Sequence, residues 1–371
     1  MASLGRPGVK HQPRTMVLIG STGFLGPYIL ASLLEKNLQS QIFCINRSMD
    51  GGERTITALQ KLATGASLDI SRLHFLVTDI TQPQLGLKSS QAALLALEAS
   101  ELVFNAWIPD WGLSFENFKP LLRALSNAIA FCVFGTHQMR LTFISSICAI
   151  GEWPRQHPEC PIIPEIVPLD HSNAMLHGYG ESKCWAERLL KEASDTSGLR
   201  VAIVRAGQIG GPSKAQGGWP VQGWLKFLID GSKRVSYWPR HVQPVDWIPV
   251  DALAESIATL TCTEPPELLR VYNIVHPNPA PWHLFYTLLR DKFGLRAEEV
   301  TLPDWLNMFR PEKMKLYRFL SVAGNGREFD MHFETANAEH ILPDPVVISS
   351  ELLERWIGGW NLKLAGERSR L

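Results

Sequence analysis

The sequence predicts an α/β fold, a Rossmann-type doubly wound parallel sheet with a smaller, mainly helical C-terminal lobe. A glycine-rich loop, Gly20–Gly26, follows a short buried strand and leads into an amphipathic helix. Short apolar strands then alternate with amphipathic helices through the first half of the chain, as in parallel sheets covered by helices on both faces. With 371 residues, the chain is long enough for one large domain or two lobes around a sizeable core.

Short apolar runs predict the strands, and longer stretches with apolar residues at helical spacing predict the helices. The predicted strands are Met16–Ile19, Gln41–Ile45, His74–Val77, Leu102–Phe104, Leu141–Ile144, Val201–Val204 and Val271–Val275. The predicted helices are Phe24–Lys36, Glu53–Ala63, Gln91–Ala99, Phe115–Phe134, Tyr179–Ala193 and a segment before the last strand whose N-cap is Asp251. An aspartate there supplies an acceptor that the first N–H groups of a helix lack.

The composition argues against several classes of function. The net charge is zero, so nothing indicates a nucleic-acid partner or an anionic membrane surface. No apolar run approaches the ~18 residues that a membrane-spanning helix needs. The six cysteines are scattered without a Cys-x-x-Cys pair. Cys44 and Cys132 lie in apolar runs, as core thiols do, which fits a reducing compartment and hence the cytoplasm. The eleven histidines form no helical His-x-x-x-His pair with an acidic partner, so no metal site is predicted.

The loop Gly20–Gly26 lies between a strand and a helix, the context that a dinucleotide-binding fingerprint requires. Glycines permit a tight turn and close approach of the backbone, and the helix N-terminus offers unpaired N–H groups to a pyrophosphate. The spacing Gly-x-x-Gly-x-x-Gly is a variant found in short-chain dehydrogenases. The alternative is a glycine-rich turn without a ligand.

Tyr179 and Lys183 are four residues apart in a predicted helix, a spacing that stacks both side chains on one face. The Lys183 ammonium would favour tyrosinate and lower the pKa of the Tyr179 phenol from about 10 toward working pH. Tyr179 would then give a proton to a carbonyl oxygen, and Lys183 would also hold the nicotinamide ribose. Of the two serines that end the fifth strand, Ser146 is favoured over Ser145 to hydrogen-bond the same oxygen. An ordinary solvated helix face is the alternative.

The second strand ends at Asn46 and Arg47, where an enzyme specific for NAD usually carries an acidic residue for the ribose 2′-hydroxyl. An amide and a cation suit a 2′-phosphate instead. Arg47, with help from Arg54, therefore predicts NADPH as the cofactor. The alternative is that Arg47 is merely solvated.

Further cofactor contacts are expected where other strands end. The Asp79 carboxylate or the Ile80 backbone is placed to meet the adenine, residues 105–107 run beside the cofactor, and residues 206–209 pack near the nicotinamide. The full set expected to bind the cofactor is Gly20, Ser21, Thr22, Gly23, Phe24, Leu25, Gly26, Arg47, Arg54, Asp79, Ile80, Asn105, Ala106, Trp107, Tyr179, Lys183, Ala206, Gly207, Gln208 and Ile209.

The chain is expected to divide into three parts. Residues 1–14 are polar and form a flexible lead-in, and residues 15–211 form the NADP-binding Rossmann domain, completed by about 245–276. Residues 212–244 and 277–371 form a substrate-binding lobe of short helices and loops. Most of the twelve tryptophans are expected to fill core and lobe contacts.

Together, these segments resemble the extended short-chain dehydrogenase/reductase family, and more narrowly the terminal thioester reductase domains of nonribosomal peptide and polyketide synthases. The fungal members, including those that end synthetase-like carboxylate reductases, are the most similar. The resemblance covers roughly residues 15–360 and rests on Asn105–Trp107, Phe143–Ser146, Gly178–Lys183, Arg205–Pro212 and Val245–Asp251. One departure is Ile19, where many relatives carry threonine, with little expected consequence for cofactor binding.

The resemblance implies reduction of an acyl thioester held on the phosphopantetheine arm of a carrier domain. NADPH would supply hydride to the thioester carbon, while Tyr179 and Ser146 stabilise the oxygen as charge develops. Collapse of the hemithioacetal would release a thiol and an aldehyde, which a second NADPH could reduce to the alcohol. Related domains that lack the tyrosine cyclise their substrates without redox chemistry, whereas Tyr179 is present here.

Two other functions stay open on the sequence. One is an extended dehydrogenase that acts on a free small molecule, such as a ketone, a nucleotide sugar or an acyl-coenzyme A. Arg47 disfavours the nucleotide sugar, because such enzymes usually retain NAD. The other is a regulatory module that senses NADP without turnover, although such modules typically lose the tyrosine and lysine that this chain keeps.

Overall fold

The computed structural model describes residues 15–36, 39–62, 68–135, 139–214, 217–263, 267–309 and 331–362. The lead-in expected at 1–14 lies outside the described residues. The strands are β1 (Thr15–Ile19), β2 (Gln41–Asn46), β3 (Leu73–Val77), β4 (Ala99–Phe104), β5 (Arg140–Ser146), β6 (Val201–Ala206), β7 (Ile209–Gly210), β8 (Tyr237–Pro239), β9 (Ile248–Pro249), β10 (Leu269–Ile274) and β11 (Glu298–Val300). The helices are α1 (Gly26–Lys36), α2 (Gly51–Leu62), α3 (Ser89–Glu98), α4 (Lys119–Phe134), α5 (Trp153–Gln156), α6 (Gly178–Ser197), α7 (Gly223–Val235), α8 (Val250–Thr261), α9 (Trp282–Phe293), α10 (Leu302–Asn307) and α11 (Ser350–Ile357).

Seven parallel strands form the main sheet in the order β10-β6-β5-β4-β1-β2-β3. The order reverses between β1 and β4, so the connections that leave these two strands diverge and open a crevice at their carboxyl ends. Ile19 pairs with Phe104 in that register, which sets the glycine loop beside the residues that follow β4. The predicted Rossmann-type sheet is confirmed.

Both faces of the sheet are buried, which explains why its strands are continuous apolar runs rather than alternating patterns. On one face, α1 and α8 contribute four fully buried residues to the core, namely Leu30, Leu33, Leu253 and Ile257. On the other face, α3, α4 and α6 cover the same strands.

A separate hydrophobic cluster lies in the C-terminal half and contains α7, α9, α10 and α11. It is built around eight tryptophans, namely Trp219, Trp224, Trp238, Trp247, Trp282, Trp305, Trp356 and Trp360. Several indole N–H groups donate to backbone carbonyls, for example from Trp356 to Pro212 at 2.9 Å and from Trp360 to Trp219 at 2.9 Å. These bonds satisfy the polar edges of the donating rings, whereas the buried indole N–H groups of Trp238 and Trp247 have no acceptor among the described residues.

Two predicted element boundaries are wrong. Asp251 is not the N-cap of α8, because Pro249 precedes the helix and Asp251 lies in its first turn. The Asp251 carboxylate instead accepts hydrogen bonds from the Ser213 N–H at 2.8 Å and hydroxyl at 2.6 Å, which ties residues 213–214 to the helix. The single helix expected over Phe115–Phe134 is a 3-10 turn, Phe115–Phe118, followed by α4. Within the described ranges, no helix combines the length and apolarity that crossing a bilayer requires.

Candidate active site

The glycine loop is fixed against the backbone that follows β4. Gly20 has a φ of +96°, and a Cβ there would lie 2.8 Å from the Asn105 carbonyl carbon. The Asn105 side-chain amide donates to the Gly20 carbonyl at 2.9 Å. A Cβ on Gly26 would lie 2.5 Å from the Ser21 carbonyl oxygen, whereas a Cβ on Gly23 would meet no described atom within 4 Å. The backbone is therefore tightly packed at Gly20 and Gly26, whereas the position of a side chain at Gly23 is open space.

Side chains below the loop hold it to β2 and α2. The fully buried Ser21 hydroxyl donates to Asn46 Oδ1 at 2.9 Å and lies 3.1 Å from the Thr55 hydroxyl. Leu25 is buried in the sheet core, and Phe24 packs edge-on against Tyr28 with ring centroids 5.8 Å apart. The loop therefore turns its large side chains inward. Its open centre at position 23 and the start of α1 fit a dinucleotide pyrophosphate.

Ser146 and Tyr179 come together at the carboxyl end of β5. The Ser146 hydroxyl faces the phenol as a hydrogen-bonding group that acts to lower the pKa of Tyr179, and Ser146 Oγ accepts the backbone N–H of Cys148 at 3.2 Å. Ser145 has a different environment, because its hydroxyl donates to the buried Glu187 carboxylate at 2.5 Å. Of the two serines considered from the sequence, Ser146 is thus the one beside the phenol.

The expected lowering of the Tyr179 pKa is wrong for this structure. Burial raises the pKa of Tyr179, the nearby Cys148 thiol acts in the same direction, and the hydrogen bond with Ser146 opposes them. The phenol packs in an apolar cluster with Phe118 and Met175. Desolvation outweighs any benefit from a neighbouring ammonium, so the phenol holds its proton at neutral pH.

Lys183 is also buried, and its ammonium contacts β5 rather than the phenol oxygen. Nζ donates to the Ile144 carbonyl at 2.5 Å and lies 5.8 Å from the Tyr179 ring centroid. Burial places the pKa of Lys183 well below its ordinary value, while the charges of Glu187 and Cys148 act to raise it. The predicted one-face stacking of Tyr179 and Lys183 is observed on α6, on its inner side.

Two features of the site were not identified from the sequence. His177 caps α6 by accepting the Gly180 N–H on Nδ1 at 3.0 Å, and its ring stacks on Trp111 and Tyr179 with centroids 5.5 and 6.1 Å away. Glu187, four residues after Lys183, forms a buried ion pair with Arg205 on β6. The helical spacing of positions 179, 183 and 187 was a signal that could have revealed Glu187.

The residues expected at the adenosine end lie at the ends of β2 and β3. Arg47 follows β2 and is exposed. Arg54 is exposed on α2, 4.0 Å from the Asp50 carboxylate. Hydrogen bonds from Thr81 lower the pKa of Asp79, with smaller contributions from Gln82 and the charge of Arg47. The Ile80 carbonyl accepts from the Asn127 amide at 3.1 Å, so that part of its backbone is engaged within the protein.

The residues expected near the nicotinamide follow β6. Ala206 is buried, and the Gly207 N–H donates to the Ile274 carbonyl at 2.9 Å. The Gln208 side chain donates to the Ile209 carbonyl at 3.1 Å and accepts from the Trp224 indole at 3.2 Å. Gln208 therefore connects the end of β6 to α7. Among the described residues, no group of three or more histidine, cysteine or acidic side chains is arranged to hold a metal.

Comparison with known proteins agrees with this geometry. The profile of the NAD-binding family described as "Male sterility protein" matches residues 18–257. The chain belongs to this NAD-binding family. Curated relatives include a carboxylic acid reductase of Neurospora crassa, 27% identical over 96% of this chain and 36% of the relative. They also include adenylate-forming reductase Nps9 of Serpula lacrymans, 32% identical over 72% of this chain and 24% of the relative. The chain thus spans about a third or less of these relatives.

Several solved structures have a similar fold. The terminal R domain of the myxalamid PKS-NRPS pathway has a TM-score of 0.77 at 22% identity, covering 94% of this chain and 91% of that one. A UDP-glucuronic acid 4-epimerase of Bacillus cereus in complex with NAD has a TM-score of 0.61 at 17% identity, covering 93% and 95%. The resemblance to reductase domains that the sequence motifs indicated is confirmed.

Proposed function

We propose that this chain is an NADPH-dependent reductase that releases a carrier-bound acyl or peptidyl thioester as an aldehyde. The observation that carries the proposal is the convergence of Ser146, Tyr179 and Lys183 beside the end of β5, in a sheet whose first loop fits a dinucleotide. The relatives named as carboxylic acid and adenylate-forming reductases, and the structural likeness to a terminal R domain, support it.

In this mechanism, the side chains act on the thioester oxygen. When bound, NADPH supplies a hydride to the thioester carbon. Tyr179, whose pKa is raised by burial, arrives protonated and donates its proton to the oxygen, while the Ser146 hydroxyl provides a second hydrogen bond. Both donors are fixed before the reaction and are shielded from water, which makes them effective against charge that develops in the transition state. As the carbon–sulfur bond of the resulting hemithioacetal breaks, its hydroxyl proton returns to Tyr179 and the leaving sulfur takes a proton from solvent, so the products are an aldehyde and a thiol. Reduction of the aldehyde to the alcohol would consume a second hydride equivalent.

We infer NADPH rather than NADH from the end of β2. Asn46 is buried and Arg47 is exposed, so the first side chain available to a ribose 2′ substituent is a cation. A guanidinium binds a phosphate through two parallel N–H groups. Arg54 is a weaker candidate, since it already faces Asp50.

The proposed partner is a carrier domain that presents the acyl group on a phosphopantetheine arm. Its support is the size of the relatives, in which the matched region makes up 36% and 24% of the length. A solved neighbour with a TM-score of 0.70 is described as a thiolation-reductase di-domain. We further propose that the protein is located in the cytoplasm, because all six cysteines are free thiols.

The test is an NADPH-consumption assay with three kinds of substrate, namely a carrier-bound thioester, a coenzyme A thioester and a free aldehyde. The proposal expects consumption with the carrier-bound thioester, loss of that activity in Tyr179→Phe, and an aldehyde or alcohol product by mass. Turnover with free molecules alone would favour a free-standing dehydrogenase. NADPH binding without turnover of any donor would favour a regulatory module.

A further inference from the structure

The Lys183 ammonium is enclosed by two aromatic rings. Nζ lies 4.5 Å from the centroid of the Trp107 ring and 4.5 Å from that of Phe143, and these two rings pack edge to face at 5.4 Å. The negative face of an aromatic ring attracts a cation, and the attraction is larger where water is excluded. Lys183 is only 2% exposed, so this condition is met.

The indole N–H of Trp107 makes a second connection to the same helix. It donates to Ser182 Oγ at 3.1 Å, and the Ser182 hydroxyl in turn donates to the Tyr179 carbonyl at 2.7 Å. Trp107 therefore contacts Lys183 through the face of its ring, and it contacts the helical turn that bears Tyr179 through its indole N–H group. Neither contact needs a bound cofactor.

We propose that Trp107 is a positioning residue for the reductase. Its ring favours the ammonium form of Lys183, and its N–H group holds the first turns of α6 against the segment that follows β4. The inference deepens the proposed function, because it assigns Trp107 to the Tyr179–Lys183 pair and not only to the wall of the cofactor site.

The electrostatic part of the proposal depends on what else faces the ammonium. Tyr179 and Glu187 face it from α6, and Cys148 faces it from the turn after β5. The Glu187 charge is balanced by Arg205, with Nη2 and Oε2 2.7 Å apart. Burial disfavours the ammonium, and the Glu187 carboxylate that faces it is already paired with Arg205. The two rings therefore add stabilisation that this carboxylate does not supply alone.

The test measures the ionisation of Lys183 in the full chain without substrate. The ¹⁵Nζ signal of Lys183, assigned with Lys183→Arg, is titrated in the wild type and in three variants. Trp107→Leu removes the ring and should lower the midpoint by about one pH unit. Trp107→Phe keeps a ring face and should restore most of that shift, while Ser182→Ala removes only the hydrogen-bonded connection and should leave the midpoint unchanged.

Site-specific fluorinated tryptophans at position 107 provide a measurement that preserves the fold. Successive fluorination weakens the negative ring face, so the Lys183 midpoint should fall with each fluorine. A midpoint that is the same in all of these proteins would overturn the proposal. The alkaline limb of the kcat profile should shift to lower pH with the same order of variants. If the NMR midpoints shift but no thioester is reduced, the proposed function fails while the role of Trp107 toward Lys183 stands.

Discussion

Glu187 on α6 and Arg205 on β6 form an ion pair in which both side chains are fully buried. The pair also reaches the loop before α6, because Arg205 donates to the Pro164 carbonyl at 3.1 Å and the Ile166 carbonyl at 2.5 Å. Glu187 lies one helical turn beyond Lys183. The ion pair therefore joins α6, the sheet and residues 164–166 at one point.

Breaking this pair should be costly for stability. Arg205→Met leaves the Glu187 carboxylate buried without its cation, so we expect the free energy of unfolding to fall by about 3–5 kcal/mol. Urea denaturation measures the change. Lys191→Ala, which breaks the exposed Lys191–Asp195 pair of 2.9 Å, is the matched control and should cost less than about 1 kcal/mol. Similar losses in both variants would contradict the assignment.

Substitution of the two adjacent serines should have different effects, one on kcat and the other on the free energy of unfolding. Ser146→Ala removes a donor beside Tyr179, so we expect kcat to fall by about a hundredfold or more with little change in stability. Ser145→Ala removes a donor to Glu187 and should instead lower the free energy of unfolding by about 1–3 kcal/mol with kcat nearly unchanged. Steady-state kinetics and urea denaturation decide the matter, and the reverse pattern would assign the role to Ser145.

Arg47→Ala should change the preference between the two nicotinamide cofactors. Loss of the exposed guanidinium removes charge-assisted hydrogen bonds to a 2′-phosphate, so we expect NADPH affinity to fall by about tenfold to a hundredfold. NADH affinity should be unchanged, because NADH lacks that phosphate. Calorimetric titration of both cofactors makes the measurement, with Arg54→Ala as the control. An equal loss for NADPH and NADH would refute the phosphate role.

Substitutions at Gly23 and Gly26 should have different effects on NADPH binding and on thermal stability. At Gly23 a Cβ meets no described atom, so Gly23→Val should fold normally and fail to bind NADPH, because its side chain fills the ligand side. At Gly26 a Cβ would lie 2.5 Å from a backbone oxygen, so Gly26→Ala should lower the melting temperature as well. Thermal unfolding and NADPH titration distinguish the two. Tight binding by Gly23→Val would mean that the loop does not contact the cofactor.

The His177 cap should make stability depend on acid. Burial lowers the pKa of His177 from 6.5 to about 4. Between these values the unfolded chain binds more protons than the folded protein, so the free energy of unfolding falls as the pH drops through this window. The loss attributable to His177 is at most about 3 kcal/mol.

His177→Asn provides the check on this prediction. Asparagine is a strong N-cap, so it should still accept the Gly180 N–H while lacking a group that titrates. We expect a shallower decline of stability from pH 6.5 to 4 than in the wild type, measured by urea denaturation at each pH. His171 and His276, whose pKa values are also lowered by burial, should leave a residual slope. An unchanged slope would rule out His177 as its source.

Much of the architecture could be predicted from local patterns. Strands such as Met16–Ile19 are apolar on both faces, and a parallel sheet covered on both sides requires that pattern. The loop at 20–26 and the pair at 179 and 183 identified one edge of the sheet, because parallel strands end together. These signals depend on residues close in sequence, which is why they could be read in advance.

The predicted pKa of Tyr179 and the predicted N-cap role of Asp251 were wrong, because both depend on residues far apart in sequence. The pKa of Tyr179 follows from packing against Phe118 and Cys148, which lie 61 and 31 residues earlier in the chain and help to exclude water from the phenol. Asp251 bonds to Ser213 because a distant loop passes over the start of α8. Local capping preference could not foresee that competing donor, since it considers only the helix to which the aspartate belongs.

The indole cluster has an optical consequence. Eight of the twelve tryptophans lie within it, and neighbours such as Trp219 and Trp360 have ring centroids 5.0 Å apart. Intrinsic fluorescence of this protein will therefore report mainly on the C-terminal half, whereas Trp107 and Trp111 contribute the signal near Tyr179. Emission and far-ultraviolet circular dichroism followed together during denaturation would show whether the two halves lose structure in one step or in two.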